Sequence, residues 1–243
     1  MKLYGLIGNP LSHSFSRTYF TKKFTDENIL DCSYENFELQ NIHEFPLLIK
    51  QYPNLCGVNV TRPYKEEVLS FIDFRNEVVE QISACNCIKI DHKKLSGFNT
   101  DVVGFEKSFR QNLMPHHTKA LILGSGGAAK AVQYVLKKLN ITCLIVSRSS
   151  SNFSITYADL DKSIIKQYTV IINATPSGMY PNINEAPPMP YQFLNDRHLL
   201  FDLTYNPPKT LFLQKGEKQG ASICNGYEML VQQAEASWNI WNG

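Results

Sequence analysis

The stretch KALILGSGGAAKAVQYVLKKLNITCLIVSRSS, residues 119–150, constrains the fold of this chain more than any other. An apolar run, a glycine turn, an amphipathic segment and a second apolar run follow one another without interruption. That order predicts a strand, a turn, a helix and a parallel strand. Gly124, Gly126 and Ala129 fit the pattern G-x-G-x-x-G/A, with Ser125, Gly127 and Ala128 between them. The first glycine permits the tight turn, the second lets a pyrophosphate approach the backbone, and Ala129 allows close helix–sheet packing. The helix N-terminus then offers unpaired N–H groups to an anion. A glycine-rich turn without a ligand is the bland alternative.

The end of the following strand reports which dinucleotide is expected. An NAD site carries Asp or Glu there for the ribose hydroxyls, whereas this chain has Ser147-Arg148-Ser149. A guanidinium flanked by hydroxyls suits a 2′-phosphate, so NADP is the expected cofactor; the alternative is a solvated surface arginine. The runs YTVIINATPSGM and HLLFDLTYNPP add two buried strands and ASICNG a shorter one, which extends a mostly parallel, doubly wound sheet.

The first hundred residues also alternate. KLYGLIG, CSYENFEL and NLCGVNVT read as strands, and SRTYFTKKFTDENI as a helix capped by Ser16. PYKEEVLSFI reads as a helix from Pro63, while CNCIKI and KKLSGFNT resemble a hairpin around Asp91–Lys93. Val102, Phe105, Phe109 and Leu113 recur at helical spacing in a connector helix, and MPHHTK reads as a linker. The expected architecture is therefore α/β in two domains: a substrate-binding α/β domain over residues 1–101 and a Rossmann-like dinucleotide-binding domain over 102–225. The closing helix, 226–243, is expected to return to the first domain.

Composition excludes several classes. The formal charge is +2 and no basic run or stripe stands out, which argues against a nucleic-acid binder. No stretch reaches membrane-spanning length and the N-terminus lacks a signal-peptide pattern, so a cytoplasmic location is expected. Six cysteines include one close pair, Cys85 and Cys87, placed on one face of a strand and read as buried, reduced thiols. No metal-ligand spacing is present.

Two polar features ask for chemistry. In GNPLSHSFS the serines Ser12, Ser14 and Ser16 are two residues apart, so an extended segment would face them to one side. They suit either an anion held by neutral donors or a polar turn with helix caps. Lys65 falls in the first turn of the expected helix, where the dipole disfavours a cation by roughly 0.3–1 kcal/mol. It is either a solvated lysine or a proton-transfer group beside a carboxylate. Asp101, at the start of the connector helix, is the candidate carboxylate and equally a helix N-terminal acid.

Taken together, GNPLSHSFS, GVNVTRPYK, ACNCI, GFNTDVVG, GSGGAA, NATPSGM, DLTYNP and GYEMLVQQA, in that order, resemble the shikimate dehydrogenases from residue 5 to about 235. The resemblance implies reversible, NADPH-dependent reduction of 3-dehydroshikimate to shikimate, on the route to aromatic amino acids. It implies catalytic roles for Lys65 and Asp101. It implies substrate contacts from Ser14, Ser16, Thr61, Asn86, Tyr205 and Gln233, with His13 structural. On the cofactor side it adds Asn173, Thr175, Met179, Gly226 and Met229 to the glycine turn and to Ser147 and Arg148.

The sequence departs from the family at Arg17 for a usual proline, at Phe20 for a frequent histidine and at Cys87 in a threonine place. It lacks a second basic residue after Arg148, and the span 149–168 is short. Rival readings are a quinate/shikimate dehydrogenase with relaxed cofactor use, a weak nucleotide-binding regulator and an interaction scaffold. The expected partners are small molecules, on a monomer or homodimer.

Overall fold

A computed structural model describes residues 1–11, 14–150 and 154–243, so Ser12 and His13 lie outside the described residues. The chain divides into two compact units, Met1–Val103 with Gln233–Gly243, and Gly104–Gln232.

The first unit opens with β1 (Lys2–Gly8), α1 (Phe15–Asp26), β2 (Cys32–Glu38), α2 (Phe45–Gln51) and β3 (Leu55–Val60). It continues with β4 (Phe74–Arg75), α3 (Glu77–Ile82), β5 (Cys87–Asp91), β6 (Lys94–Phe98) and the start of α4 (Asp101–Arg110). The sheet order is β2-β1-β3-β5-β6-β4. β1 pairs parallel with β2 and β3, and β5 turns the sheet antiparallel. The expected hairpin is present: Asp91 faces Lys94, and His92 and Lys93 both take the positive φ of a two-residue turn that follows the strand twist.

Two local expectations are corrected. The first helix begins at Phe15 with Ser14, not Ser16, in the capping position, and the Ser14 side chain makes no cap bond. The segment from Pro63 is a run of turns followed by a 3-10 helix, Glu67–Phe71, rather than an α-helix. The reason is tertiary: the Cys85 N–H donates to the Lys65 carbonyl at 2.8 Å, which takes the acceptor that residue 69 would need. The Leu69 N–H turns to Glu66 instead. The dipole argument about Lys65 therefore lapses. Strand β5 also starts only at Cys87, leaving Cys85 just ahead of it, although both thiols are buried and unpaired with any other cysteine. Burial pushes the Cys85 thiol up to about 11 and raises Cys87 too, so both stay protonated.

Residues 233–243 form the second half of α8 (Tyr227–Asn242) and finish the first unit's core. Trp241 stacks on Tyr4 with centroids 4.9 Å apart and donates its indole N–H to the Ile88 carbonyl at 3.0 Å. Gly57 has no side chain because a Cβ there would stand 2.4 Å from the indole. Removing such a buried tryptophan costs about 3–5 kcal/mol.

The second unit contains β7 (Lys119–Leu123), α5 (Gly127–Lys138), β8 (Thr142–Ser147), β9 (Ser154–Thr156), α6 (Lys162–Gln167), β10 (Val170–Asn173), β11 (Leu199–Asp202), α7 (Leu211–Lys218) and β12 (Ser222–Cys224). Its sheet runs β12-β11-β10-β7-β8-β9, with every pairing parallel. Strands buried on both faces must be apolar throughout, as Ala120–Leu123, Val170–Ile172 and Leu199–Phe201 are. The order reverses between β7 and β10, and that switch point is where open α/β sheets bind ligands, beyond the strands' carboxyl ends. The stretch 114–118, expected to be a bare linker, is anchored: His117 is buried, accepts the Met114 N–H and contacts the Arg197 carbonyl.

Candidate active site

In the first unit Lys65 and Asp101, 36 residues apart in sequence, meet at 2.7 Å between Nζ and Oδ2. Both side chains are mostly buried, with 21% and 12% exposure. Asp101 is the first residue of α4, so its carboxylate also lies at the favourable end of that helix. Its second oxygen, Oδ1, accepts the Asn86 amide at 2.9 Å. Asn86 is held in turn, because its Oδ1 receives the Thr100 N–H at 2.6 Å and its Nδ2 reaches the Thr100 hydroxyl at 3.0 Å. That hydroxyl lies 3.5 Å from the Gln233 Oε1, which brings Gln233 into the same cluster. An ammonium has three N–H donors. One goes to Asp101, and no other acceptor among the described residues takes the remaining two.

The serine row is placed differently. Ser14 Oγ is buried without a hydrogen-bond partner among the described residues, an unsatisfied hydroxyl of the kind a bound anion would satisfy. Ser16 lies by the Tyr34 hydroxyl. Thr61 follows β3, its N–H on the Ile7 carbonyl and its methyl over Gly8, where a Cβ would be 2.4 Å away. Among the described residues, Ser14, Ser16 and Thr61 make no direct hydrogen bond to Lys65 or Asp101, and Ser16 reaches Asn86 only through Tyr34 and Asn59.

The polar residues that complete the cluster were not assigned from sequence. Asn59 and Thr100 stand inside GVNVTRPYK and GFNTDVVG, and Ser237 lies beyond every quoted segment. The available signal was a serine between Ala234 and Trp241 on the apolar side of the last helix.

In the second unit, Gly124 takes φ +104°, a conformation that strains any residue with a Cβ. A Cβ added at Gly126 or Gly127 would meet nothing within 4 Å, so both line open space. Helix α5 starts there with no capping side chain and no acid in its first turn. The Ala129 N–H turns back to the Gly126 carbonyl. The Gly127 and Ala128 N–H groups have no partner among the described residues and leave the helix N-terminus open to a phosphate. Ser125 is exposed and Ala128 half-buried in the same turn, while Ala129 is buried against the sheet as the packing argument requires. Thr175 packs beside Gly124, which brings the β10 loop to the turn. Arg148 is exposed and enters no ion pair among the described residues. Burial raises the Tyr157 phenol while the Arg148 charge pulls against it, so the two are neighbours. Ser147 spends its hydroxyl on the Ser149 carbonyl at 2.5 Å. These residues fit an NADP phosphate group by chemistry: a glycine-rich backbone cradle and a guanidinium in no ion pair among the described residues.

Other expected cofactor residues are engaged in internal bonds and packing. Asn173 is fully buried, and its amide is spent on Asp202, Ser177 and Thr175, so it shapes the loop. Gly226 is a packing glycine, since a Cβ would sit 2.2 Å from the Leu203 oxygen. Met229 is buried, Met179 half-buried, and Tyr205 half-buried with its phenol raised by that burial. No group of histidine, cysteine or acid among the described residues could hold a metal, and no described helix is long and apolar enough to cross a membrane.

A family model described as the shikimate dehydrogenase substrate binding domain matches residues 6–88. A protein named shikimate dehydrogenase (NADP(+)) from Caldicellulosiruptor saccharolyticus is 36% identical over 260 residues, covering 99% of this chain and 91% of its own. The chain belongs to the shikimate dehydrogenase family. A second shikimate dehydrogenase (NADP(+)), from Clostridium beijerinckii, is 37% identical over 254 residues, covering 99% of this chain and 92% of its own. Among solved structures, a shikimate dehydrogenase crystallised in complex with NADP+ is similar with a TM-score of 0.89 at 31% identity, covering 100% of this chain and 90% of that one. The all-parallel second sheet and the mixed first sheet are thus those of a shikimate dehydrogenase.

Proposed function

We propose that this chain interconverts 3-dehydroshikimate and shikimate with NADPH as reductant, and that Lys65 moves the proton. The observation that carries the residue assignment is the 2.7 Å Lys65–Asp101 pair, with two ammonium donors left over for a ligand. NADPH, when bound, supplies the hydride. As the ketone is reduced, negative charge develops on its oxygen. Lys65 donates to that oxygen in the reductive direction and receives the proton back in the oxidative one. Asp101 aims the ammonium, while Asn86 fixes the other carboxylate oxygen. Acid–base help of this kind is worth roughly 10²- to 10⁴-fold.

The substrate's own carboxylate would be held without a counter-charge, by the Ser14 and Ser16 hydroxyls, and Ser14's unsatisfied Oγ supports that reading. Thr61, Tyr205 and Gln233 are the further proposed substrate contacts. The glycine turn, Gly124–Ala128, would cradle the pyrophosphate and Arg148 would face the 2′-phosphate. The test is an absorbance assay of cofactor reduction with shikimate or quinate against NADP+ or NAD+. Turnover with shikimate and NADP+ is the expected result. No turnover with any of the four combinations would overturn it, and equal use of both cofactors would remove Arg148's assigned role.

A further inference from the structure

Ser237 is fully buried in the last turns of α8 and sits at the junction of several hydrogen bonds. Its hydroxyl donates to the Gln233 carbonyl at 2.9 Å. That spends its only proton, so toward its other neighbours it acts as an acceptor. One neighbour is the Asn59 Nδ2 at 2.9 Å. The Asn59 amide is oriented independently, since its Nδ2 also donates to the Asn86 carbonyl at 3.2 Å and its Oδ1 accepts the buried Tyr34 hydroxyl at 2.9 Å. Two others are the Cys87 thiol and, at 3.1 Å, the Thr100 hydroxyl. With Ser237 unable to donate there, Thr100 gives its proton to Ser237 and turns a lone pair toward the Asn86 Nδ2.

We infer that Ser237 is a positioning residue for the Lys65–Asp101 pair, drawing the Thr100 proton aside so that the Asn86 amide stays seated against Asp101. This rests on the reading of Lys65 as the proton-transfer group. Without the Ser237 oxygen, the Thr100 proton has Asn86 Oδ1 at 3.3 Å and Gln233 Oε1 at 3.5 Å as its nearest acceptors. The first competes with the Thr100 N–H for the oxygen that orients Asn86. The second pulls the hydroxyl away from Asn86 altogether. Either way the support under one Asp101 oxygen loosens, although neither Ser237 nor Thr100 bonds to Lys65 or Asp101.

The test compares Ser237→Ala, Thr100→Val, the double variant and Thr100→Ser in the full-length enzyme, by steady-state kinetics with shikimate and NADP+ and by thermal melting. Ser237→Ala and Thr100→Val each lower kcat about tenfold, the worth of one buried hydrogen bond, with the shikimate KM within about twofold. The double variant falls little further than either single one, because both break the same link. Thr100→Ser, which keeps the hydroxyl, recovers most of the kcat lost in Thr100→Val. A Ser237→Ala enzyme with wild-type kcat, losses that multiply in the double variant, or a loss in KM rather than kcat would each overturn the role. If Ser237→Ala does not fold, the Thr100 pair decides alone, and equal kcat in the Val and Ser variants sinks the proposal. Lys65→Ala is measured alongside: wild-type kcat there overturns the proton-transfer reading itself. A loss there with none in Ser237→Ala removes only the positioning role.

Discussion

In the first unit the proposed catalytic side chains are held by other side chains, as in the run from Lys65 through Asp101, Asn86 and Thr100 to Ser237. In the second unit the proposed cradle is defined by what is missing: two glycines border open space and a helix begins without a capping side chain. A wired polar cluster gives a proton donor a fixed direction, at the cost of needing every partner in place. A bare backbone cradle presents N–H groups that need no support beyond the strand and helix flanking it. The difference teaches where each unit is vulnerable. The first fails when a polar atom is removed, and the second when an atom is added.

The largest test of that contrast is Lys65→Ala. It should lower kcat roughly 10²- to 10⁴-fold with little change in the shikimate KM, read by initial rates in the oxidative direction. A near-normal kcat would remove the wired cluster from the chemistry. Next comes the double variant Ser14→Ala/Ser16→Ala, which deletes two hydroxyl donors to an anion. Shikimate binding should weaken by about 2 kcal/mol, or roughly thirtyfold, in calorimetric titration; unchanged affinity ends their assignment.

For the second unit, Gly126→Ala should fold normally, since its Cβ meets nothing, yet bind NADP+ about tenfold more weakly because the methyl occupies ligand space. Its counterpart is Gly226→Ala, where the Cβ would meet the Leu203 carbonyl and lower the melting temperature. Should both variants behave alike, open space at Gly126 has no bearing on the cofactor. The smallest effect is expected from Arg148→Ala: an NADP+ KM several-fold higher with the NAD+ KM unmoved, as suits an exposed ion pair.

What could be read from sequence follows the same division. The glycine turn was legible because strand, turn and helix are contiguous, so local pattern alone specifies the cradle. The parallel character of the second sheet followed from its apolar runs, but its strand order did not. In the first unit the partners of Lys65 come from three separate stretches, and spacing says nothing about segments that meet only after folding. Asp101 was a candidate partner for Lys65 from sequence, but only the resemblance favoured that pairing over a helix N-terminal acid and a solvated lysine. The mistaken helix at Pro63 has the same origin, for Cys85 takes a carbonyl that local propensity had reserved for the helix. Ser237 escaped notice because a serine among Ala234 and Trp241 reads as a tolerated small residue. Its value is visible only once Asn59 and Thr100 converge on it.

The tail of α8 carries a consequence for biogenesis. Residues 233–243 emerge from the ribosome after all of residues 104–232, yet Trp241 fills a hole beneath Tyr4 at the start of the chain. The unit translated first is therefore completed last, whereas the second unit is one continuous stretch of chain. Until Trp241 is translated, the first unit lacks the ring that stacks on Tyr4.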